Sequence, residues 1–83
     1  GVCLGMQILF QESEEMGSWP GLALLPGRVR RFPAETLHVP QIGWNQLQRL
    51  RPDPLLNGIP EAAYMYFVHS YYCEPTEQTD VVA

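Results

Sequence analysis

The residues best suited to chemistry lie at the start of the sequence, where Cys3 stands between two glycines in Gly1-Val2-Cys3-Leu4-Gly5. This spacing is typical of a nucleophile elbow, a sharp turn from a strand into a helix that presents the reactive atom at its apex. The glycines leave room for so tight a turn. The positive end of the following helix favours the thiolate, and the Leu4 N–H is placed to hold an oxyanion. The pattern predicts a nucleophilic thiol, although a small buried cysteine at a turn also fits it.

The elements that must position this thiol are predicted from periodicity and turn residues. Apolar residues at helical spacing predict a helix over residues 4–13. The aromatic and β-branched run over residues 64–72 predicts a strand buried on both faces. Alternation beside Pro26-Gly27 predicts a hairpin. The hairpin strands cover residues 22–25 and 28–32. After them the sequence predicts a loop over 33–40, a strand over 43–50 and a helical turn over 54–58.

One helix directly after the elbow, followed by several strands, is typical of an α/β domain with an antiparallel excursion. Reactive groups in such sheets gather at the carboxyl ends of strands, so we expect Cys3 and the end of the 64–72 strand at one edge. The sequence has no initiator methionine, and residues 80–83 are expected to be a strand cut short. We therefore expect an internal piece of one larger domain, which buries too little surface to close a stable core alone.

Composition limits the class of partner. The 83 residues carry five basic and nine acidic side chains, for a formal net charge of −4, which argues against general nucleic-acid binding. Arg28, Arg30 and Arg31 alternate with apolar residues and are expected to form the solvated face of a strand. No apolar run approaches the ~20 residues of a membrane span, and no secretory signal is visible.

The two cysteines favour a reducing, cytoplasmic location over a secreted, disulfide-bonded protein, because Cys3 is expected to have a chemical role. Cys73 follows two tyrosines near the end of a predicted strand, and we interpret it as an incidental, half-buried thiol. No cofactor and no metal ion is expected.

Four segments together resemble the class I glutamine amidotransferases. Two of them, residues 43–45 (GWN) and 66–72 (YFVHSYY), make the chain most similar to the glutaminase subunits of imidazole glycerol phosphate synthases, which serve histidine biosynthesis. The resemblance covers nearly the whole chain. It implies a partial, flavodoxin-like α/β amidotransferase domain over residues 1–83, without the upstream strands and oxyanion loop and without the downstream catalytic segment. The four segments are residues 1–7 (GVCLGMQ), 25–29 (LPGRV), 43–45 (GWN) and 66–72 (YFVHSYY).

This resemblance implies that the protein acts on glutamine. Cys3 would attack the side-chain amide carbon, release ammonia and leave a glutamyl thioester for water to hydrolyse, while the Leu4 N–H holds the oxyanion. Gln7 and Glu15 match positions that contact bound glutamine, and Glu15 would meet its ammonium group. Without the resemblance, Glu15 is interpreted as a solvated carboxylate.

The resemblance also implies a carboxylate site and a partner surface. The backbone around Ser70 and Tyr71 matches the stretch that receives the glutamine carboxylate. His69 stands beside it, either in support of the substrate or as a core histidine bonded to backbone. The positions that match the surface facing the synthase (cyclase) subunit, which would take the ammonia, are Trp44, Asn45 and Tyr66.

One departure from the family leaves the mechanism incomplete, because the family's catalytic base is a histidine followed by proline and glutamate. No His-Pro-Glu occurs here, since His69 is followed by Ser-Tyr and His38 by Val-Pro. The alternatives are another class I amidotransferase, such as one serving anthranilate or pyridoxal phosphate synthesis, a pseudo-glutaminase binding module without a base, and a thiol esterase on a similar elbow. Trp44 is also consistent with an ordinary core position.

Overall fold

The computed structural model describes residues 1–83 and contains two separate β-sheets, one short helix and two single-turn 3-10 helices. The helix, α1, spans Leu4–Gln7, and the 3-10 helices span Pro54–Leu56 and Gln78–Asp80. None of these helices has the length and apolar character that crossing a membrane requires. The strands are β1 (Phe10–Ser13), β2 (Trp19–Pro20), β3 (Leu25–Arg31), β4 (Gln41–Gln46), β5 (Tyr64–His69) and β6 (Tyr71–Pro75).

The first sheet has the strand order β2-β1-β3-β6, with β1 and β3 parallel and the other neighbours antiparallel. Strand β3 lies inside this sheet and alternates between buried and exposed positions, with Gly27 and Val29 buried. Val29 is fully enclosed, and Phe10 at the start of β1 is only 3% exposed. These two apolar side chains mark the core of the first sheet.

The outer face of β3 carries a row of ion pairs. Arg28 Nε lies 3.5 Å from Glu74 Oε1, and Arg30 Nη1 lies 3.4 Å from Glu74 Oε2. Arg30 Nε also lies 3.6 Å from Glu14 Oε1. All four side chains are about half exposed, so each pair contributes about 0–1 kcal/mol. The prediction of a solvated strand face is confirmed, and Arg31 is exposed as well.

The second sheet is the antiparallel pair β4–β5, in which Gln41 lies opposite His69 and Gln46 lies opposite Tyr64. Residues along β5 alternate between exposed and partly buried. A strand is therefore confirmed here. The expectation that it is buried on both faces is wrong, because one side of this two-stranded sheet faces solvent.

The helix predicted over residues 4–13 ends at Gln7, and the end of that segment is strand β1. From Phe10 onward the backbone pairs with strands on both sides, where Glu12 lies opposite Pro20 in β2 and opposite Arg28 in β3. These ladders satisfy the backbone groups, and burial of the Phe10 side chain adds to their stability. Helical spacing over ten residues is a weak preference by comparison, since short helices are marginal in water.

The hairpin predicted at Pro26-Gly27 is wrong, because β3 continues through both residues. Gly27 has a φ of +135°, and a Cβ there would overlap the backbone carbonyl of Glu74 and lie 2.8 Å from Pro75 Cα on β6. The Gly27 N–H donates to Gln11 Oε1 at 3.0 Å. The glycine marks a close approach of two strands and a side-chain contact, not a turn.

Two further predicted strands differ from the structure, one in its ends and the other in being divided. The strand predicted over residues 43–50 is β4, which begins at Gln41 and ends at Gln46. The strand predicted over residues 64–72 divides at Ser70 into β5 and β6, which belong to different sheets. The loop predicted over residues 33–40 contains no strand or helix and is confirmed.

The helical turn predicted over residues 54–58 is confirmed as the Pro54–Leu56 3-10 helix. Asp53 caps it, since the Leu55 N–H donates to Asp53 Oδ1 at 2.9 Å. Residues 80–83 do not form a strand, so that expectation is wrong for this chain. They are nevertheless hydrogen-bonded to the rest of the chain, because the Leu50 N–H donates to the Val82 carbonyl at 2.8 Å.

Few apolar side chains are shielded from water. Phe10, Val29 and Leu56 are the buried ones, whereas sixteen large apolar side chains are at least 43% exposed. A core of this size stabilises a fold only weakly, because burial must offset the conformational entropy of the whole chain. The surfaces that carry the candidate site residues are therefore exposed to solvent.

Candidate functional site

Cys3 forms a sharp turn directly before α1, where the Gly-x-Cys-x-Gly spacing predicts one. Its dihedral angles are φ 53° and ψ −122°. Such a backbone costs about 1–3 kcal/mol for a residue with a side chain. Met16, Ala23 and Ala62 also have positive φ, so strain alone does not mark a site. What distinguishes Cys3 is an exposed, free thiol at the start of a helix.

The two glycines of the elbow have different roles. A Cβ on Gly1 would overlap the backbone carbonyl of Gly5, so the first position requires glycine. A Cβ on Gly5 would meet no atom within 4 Å, so the expectation that this glycine relieves a clash is wrong. Backbone hydrogen bonds hold the turn, since the Gly5 N–H donates to the Val2 carbonyl and the Gln7 N–H donates to the Cys3 carbonyl, both at 3.0 Å.

The turn at Cys3 leaves one backbone N–H free to donate a hydrogen bond to a reacting atom. The Leu4 N–H is not among the backbone donors of the turn, whose first donor is Gly5. An N–H next to the nucleophile is the group that an oxyanion hole uses. Gln7 ends the same turn and is partly buried.

The elbow does not lie beside the predicted carboxylate site. Strand β1 begins at Phe10 opposite Leu25, whereas Tyr71 lies opposite Arg31, six residues further along β3. At ~3.3 Å per residue these two ends are about 20 Å apart. Glu15 follows the far end of β1 and is exposed, so it lies toward the Tyr71 end of the sheet. The structure does not support the expected common edge, because parallel pairing of β1 with β3 places the start of β1, which follows the elbow, at the opposite end of β3 from Tyr71.

Ser70 forms the bend between β5 and β6, where the chain passes from the second sheet to the first. His69 Nδ1–H donates to the Tyr71 carbonyl at 2.8 Å, since a carbonyl can only accept. The Phe32 N–H donates to the Ser70 carbonyl at 3.0 Å. The Phe32 ring meets the His69 ring edge-on, with centroids 5.0 Å apart, and stacks on Tyr72 at 4.9 Å. Protein donors therefore satisfy both carbonyls of the bend.

The exposed side of the β4–β5 sheet is an apolar surface, the aromatic face, formed by Ile42, Trp44, Tyr64, Tyr66 and Val68. Each of these side chains is 52–68% exposed. Trp44 lies opposite Tyr66, with ring centroids 5.5 Å apart, and Ile42 lies opposite Val68. Contiguous apolar surface of this kind marks interaction sites. The interpretation of Trp44 as ordinary core is therefore wrong.

Asn45 does not share the aromatic face, because successive residues of β4 point to opposite sides of the sheet. It lines a cleft of about 320 Å³ together with His69 and Gln41. The structure thus groups Asn45 with the bend and separates it from Trp44. The other lining residues are Phe32, Leu37, His38, Gln46 and Phe67.

Sequence reasoning missed three residues of these surfaces. Ile42 and Val68 belong to the aromatic face, and the alternation along β4 and β5 carried the signal for them. Phe32 anchors the bend through its N–H and its ring. Nothing in the sequence indicates this, because the contact depends on the register between β3 and β6.

The two cysteines lie in different environments, and neither forms a disulfide. Cys73 lies on β6 opposite Val29 and is partly buried. Burial raises the pKa of the Cys73 thiol, because desolvation disfavours the thiolate. Its interpretation as a half-buried thiol is confirmed, and the exposed Cys3 is the more accessible sulfur.

Comparison with known families defines the class of protein. Residues 1–83 match the glutamine amidotransferase class-I family, which is the whole chain. The chain therefore belongs to the class I glutamine amidotransferases. This confirms the domain class expected from the sequence motifs. The two β-sheets and the short helix are the part of that domain that this chain forms.

Individual relatives narrow the resemblance to one subunit type. The chain is 49% identical over 83 residues to the imidazole glycerol phosphate synthase subunit HisH of Chlorobaculum tepidum, covering 100% of this chain and 41% of that protein. It is 58% identical over 78 residues to the subunit HisH of Desulfitobacterium hafniense, covering 94% of this chain and 36% of that protein. It is 53% identical over 88 residues to the subunit HisH of Geobacillus kaustophilus, covering 100% of this chain and 41% of that protein. The chain therefore spans well under half the length of these relatives.

Proposed function

We propose that this chain is the nucleophile-bearing part of the glutaminase subunit of an imidazole glycerol phosphate synthase. The subunit hydrolyses glutamine to glutamate and ammonia and passes the ammonia to a synthase partner in histidine biosynthesis. One observation carries the proposal: Cys3 presents an exposed thiol at φ 53° and ψ −122° in a chain that matches the amidotransferase family along its whole length. The names of its relatives point to the particular synthase.

The proposed chemistry begins at the Cys3 sulfur. Sγ attacks the side-chain amide carbon of glutamine, and the carbonyl oxygen becomes an oxyanion that accepts the Leu4 N–H. The C–N bond then breaks, ammonia leaves with a proton from the base, and a glutamyl thioester remains. Water adds to the thioester, and glutamate leaves as the thiol is restored. The turn at Cys3 supports this role because it presents an exposed, free thiol directly before α1.

A general base must complete this mechanism. The family's base is a histidine in His-Pro-Glu, and neither His38 nor His69 stands in that context. His69 is also engaged elsewhere, since its Nδ1–H donates to the Tyr71 carbonyl. We therefore assign the base to a segment of the longer protein outside residues 1–83.

The groups proposed to bind the amino-acid end of glutamine lie at one end of the first sheet. Glu15 is an exposed carboxylate there, suited to an ammonium group, and the Ser70–Tyr71 bend lies at the same end. Gln7 is proposed to contact the substrate beside Cys3. Glutamine is much shorter than the ~20 Å between the two ends of β3. The proposal therefore requires the longer protein to bring the elbow toward the bend.

The aromatic face is the proposed contact with the synthase partner. Its pair Trp44 and Tyr66 presents two large rings to solvent, and such residues are common anchors of protein interfaces. Asn45 lines the cleft on the other side of this sheet, and we propose that it contacts a partner group that enters the cleft. We also propose a cytoplasmic location, supported by two free cysteines and by a mechanism that needs a reduced thiol.

A non-catalytic binding module is the second candidate. The separation of the elbow from the Ser70–Tyr71 bend favours it, because a partner-binding surface needs only the aromatic face. Another class I amidotransferase would keep the chemistry and change the partner. These candidates differ in measurable ways, since the module binds a synthase without releasing ammonia from glutamine.

Glutamine hydrolysis by the full-length protein, with and without its synthase partner, tests the proposal. The Cys3→Ala variant should lose turnover by at least ~10³-fold, because nothing else supplies the nucleophile. Cys73→Ala is the matched control and should retain turnover, since Cys73 lies on β6 at a partly buried position. Equal turnover in wild type and in Cys3→Ala would show that the thiol is not the nucleophile. Ammonia release by neither protein, with partner binding intact, would favour the binding module.

A further inference from the structure

Trp19 holds an aromatic ring in a fixed position at the turn between β1 and β2. Its Nε1–H donates to the Met16 carbonyl at 3.3 Å. The ring lies against Gly17, where an added Cβ would come within 3.1 Å of Trp19 Nε1 and 3.4 Å of its Cε2. The side chain is nevertheless 59% exposed. The turn therefore fixes the ring and leaves much of its π surface free to contact a ligand.

Glu15 is tied to the same side of this turn as the Trp19 ring. Trp19 lies directly opposite Ser13 in the antiparallel β1–β2 pair, so their side chains point to one face of the sheet. The Ser13 hydroxyl accepts the Glu15 N–H at 3.2 Å. One short side chain therefore joins the backbone of Glu15 to the face that carries the indole.

The charge around this ring favours a cation. Glu15 is exposed and takes part in none of the ion pairs of the chain, whereas Glu14 is paired with Arg30. No lysine or arginine occurs in residues 1–27. A carboxylate attracts an ammonium group, and the electron-rich face of an indole attracts it as well. The unpaired carboxylate and the ring therefore suit the same ligand charge.

We propose that Trp19 contacts the ammonium group of the substrate through a cation–π interaction. Together with Glu15 it selects substrates that carry a free α-amino group. The identification of that substrate as glutamine rests on the function proposed above. Trp19 is then a specificity-determining residue and takes no part in breaking the amide bond.

Two substitutions separate the π face of Trp19 from its apolar bulk. Trp19→Phe keeps an aromatic ring with a weaker attraction for cations, whereas Trp19→Leu keeps an apolar side chain without a π face. In the full-length protein with its synthase partner, Trp19→Leu should raise the KM for glutamine about 3–10-fold, the range of one cation–π contact, with kcat within about twofold. Trp19→Phe should retain part of this affinity and lie between wild type and Trp19→Leu.

A substrate without the ammonium group gives a readout that a purely structural role would not move. Glutaramate is glutamine without its α-amino group. Wild type should prefer glutamine to glutaramate, and Trp19→Leu should lose about 3–10-fold of that preference. An unchanged preference in folded Trp19→Leu would overturn the proposal. So would a Trp19→Phe variant that loses as much preference as Trp19→Leu, because an aromatic face would then not matter.

A binding measurement on the full-length wild-type protein covers the case in which Trp19→Leu does not fold. The indole N–H signal of Trp19 in NMR spectra is assigned by its absence from Trp19→Phe. It should shift on titration with L-glutamate and not with glutarate, which lacks the ammonium group. No shift, or an equal shift with both, would overturn the proposal. If the protein hydrolyses no glutamine but the signal responds to L-glutamate alone, the glutaminase function fails and the ammonium site stands.

Discussion

Trp44 and Tyr66 lie directly opposite each other on β4 and β5, with ring centroids 5.5 Å apart and ring planes tilted by 51°. An aromatic pair of this geometry contributes about 0.5–1.5 kcal/mol beyond its buried area. Both rings remain largely exposed, at 68% and 56%. The pair therefore stiffens a surface that is already formed before any partner arrives, which lowers the entropy lost on binding.

Replacement of Trp44 tests whether this surface binds the synthase. In the full-length protein, Trp44→Ala should weaken partner affinity by about 2 kcal/mol or more, roughly 30-fold, as for an interface anchor. Titration calorimetry measures the affinity, and circular dichroism checks the fold. Trp19→Ala is the matched control, because Trp19 is 59% exposed but lies on β2 in the other sheet. Equal affinities for the two variants would remove Trp44 from the interface.

Gly27 and Gly43 provide a second matched comparison, on stability. Their φ angles are +135° and +149°, so alanine is strained at both positions. Only at Gly27 would the new Cβ overlap the Glu74 carbonyl, whereas at Gly43 it would meet no atom within 4 Å. Gly27→Ala should therefore reduce the free energy of unfolding by about 1–3 kcal/mol more than Gly43→Ala. Thermal unfolding of the two full-length variants measures the difference, and equal losses would contradict the close approach of β3 and β6.

Local signals in the sequence were sufficient where the structure is local. The turn at Cys3, the alternating exposure along β3 and the 3-10 turn at Pro54–Leu56 all depend on residues a few positions apart. The family resemblance also came from short segments and is confirmed. These features were predictable because neighbouring residues determine them.

Pairing between distant segments could not be predicted. The ten residues after Cys3 have helical spacing, yet Phe10 begins a strand because two neighbouring strands accept it. Pro26-Gly27 has the composition of a turn, yet a close approach to β6 requires that glycine. The separation of the elbow from Ser70 follows from the same pairing, so the sequence could name site residues but could not locate them relative to one another.

The open surface of the chain predicts its behaviour in isolation. With Phe10, Val29 and Leu56 as its buried apolar residues, the 83-residue chain should bind the dye ANS strongly and show weak near-ultraviolet circular dichroism. The expected cause is apolar surface that lacks a cover, including the aromatic face. The full-length protein is the control and should bind less dye per molecule. A sharp, cooperative unfolding transition of the isolated chain without dye binding would contradict this expectation.

The two free cysteines should react with iodoacetamide at different rates and with different pH dependence. Cys3 is exposed, whereas Cys73 is partly buried and its burial raises the thiol pKa. Because the thiolate is the reacting form, a raised pKa leaves less of it at neutral pH. We therefore expect labelling of Cys3 first at pH 7, and labelling of Cys73 to increase as the pH rises toward its pKa. Mass spectrometry of digested protein assigns each modified site.

In the full-length protein, glutamine should slow modification of Cys3 and leave Cys73 unaffected. Equal protection of both cysteines would point to a general change in exposure and not to substrate at the elbow.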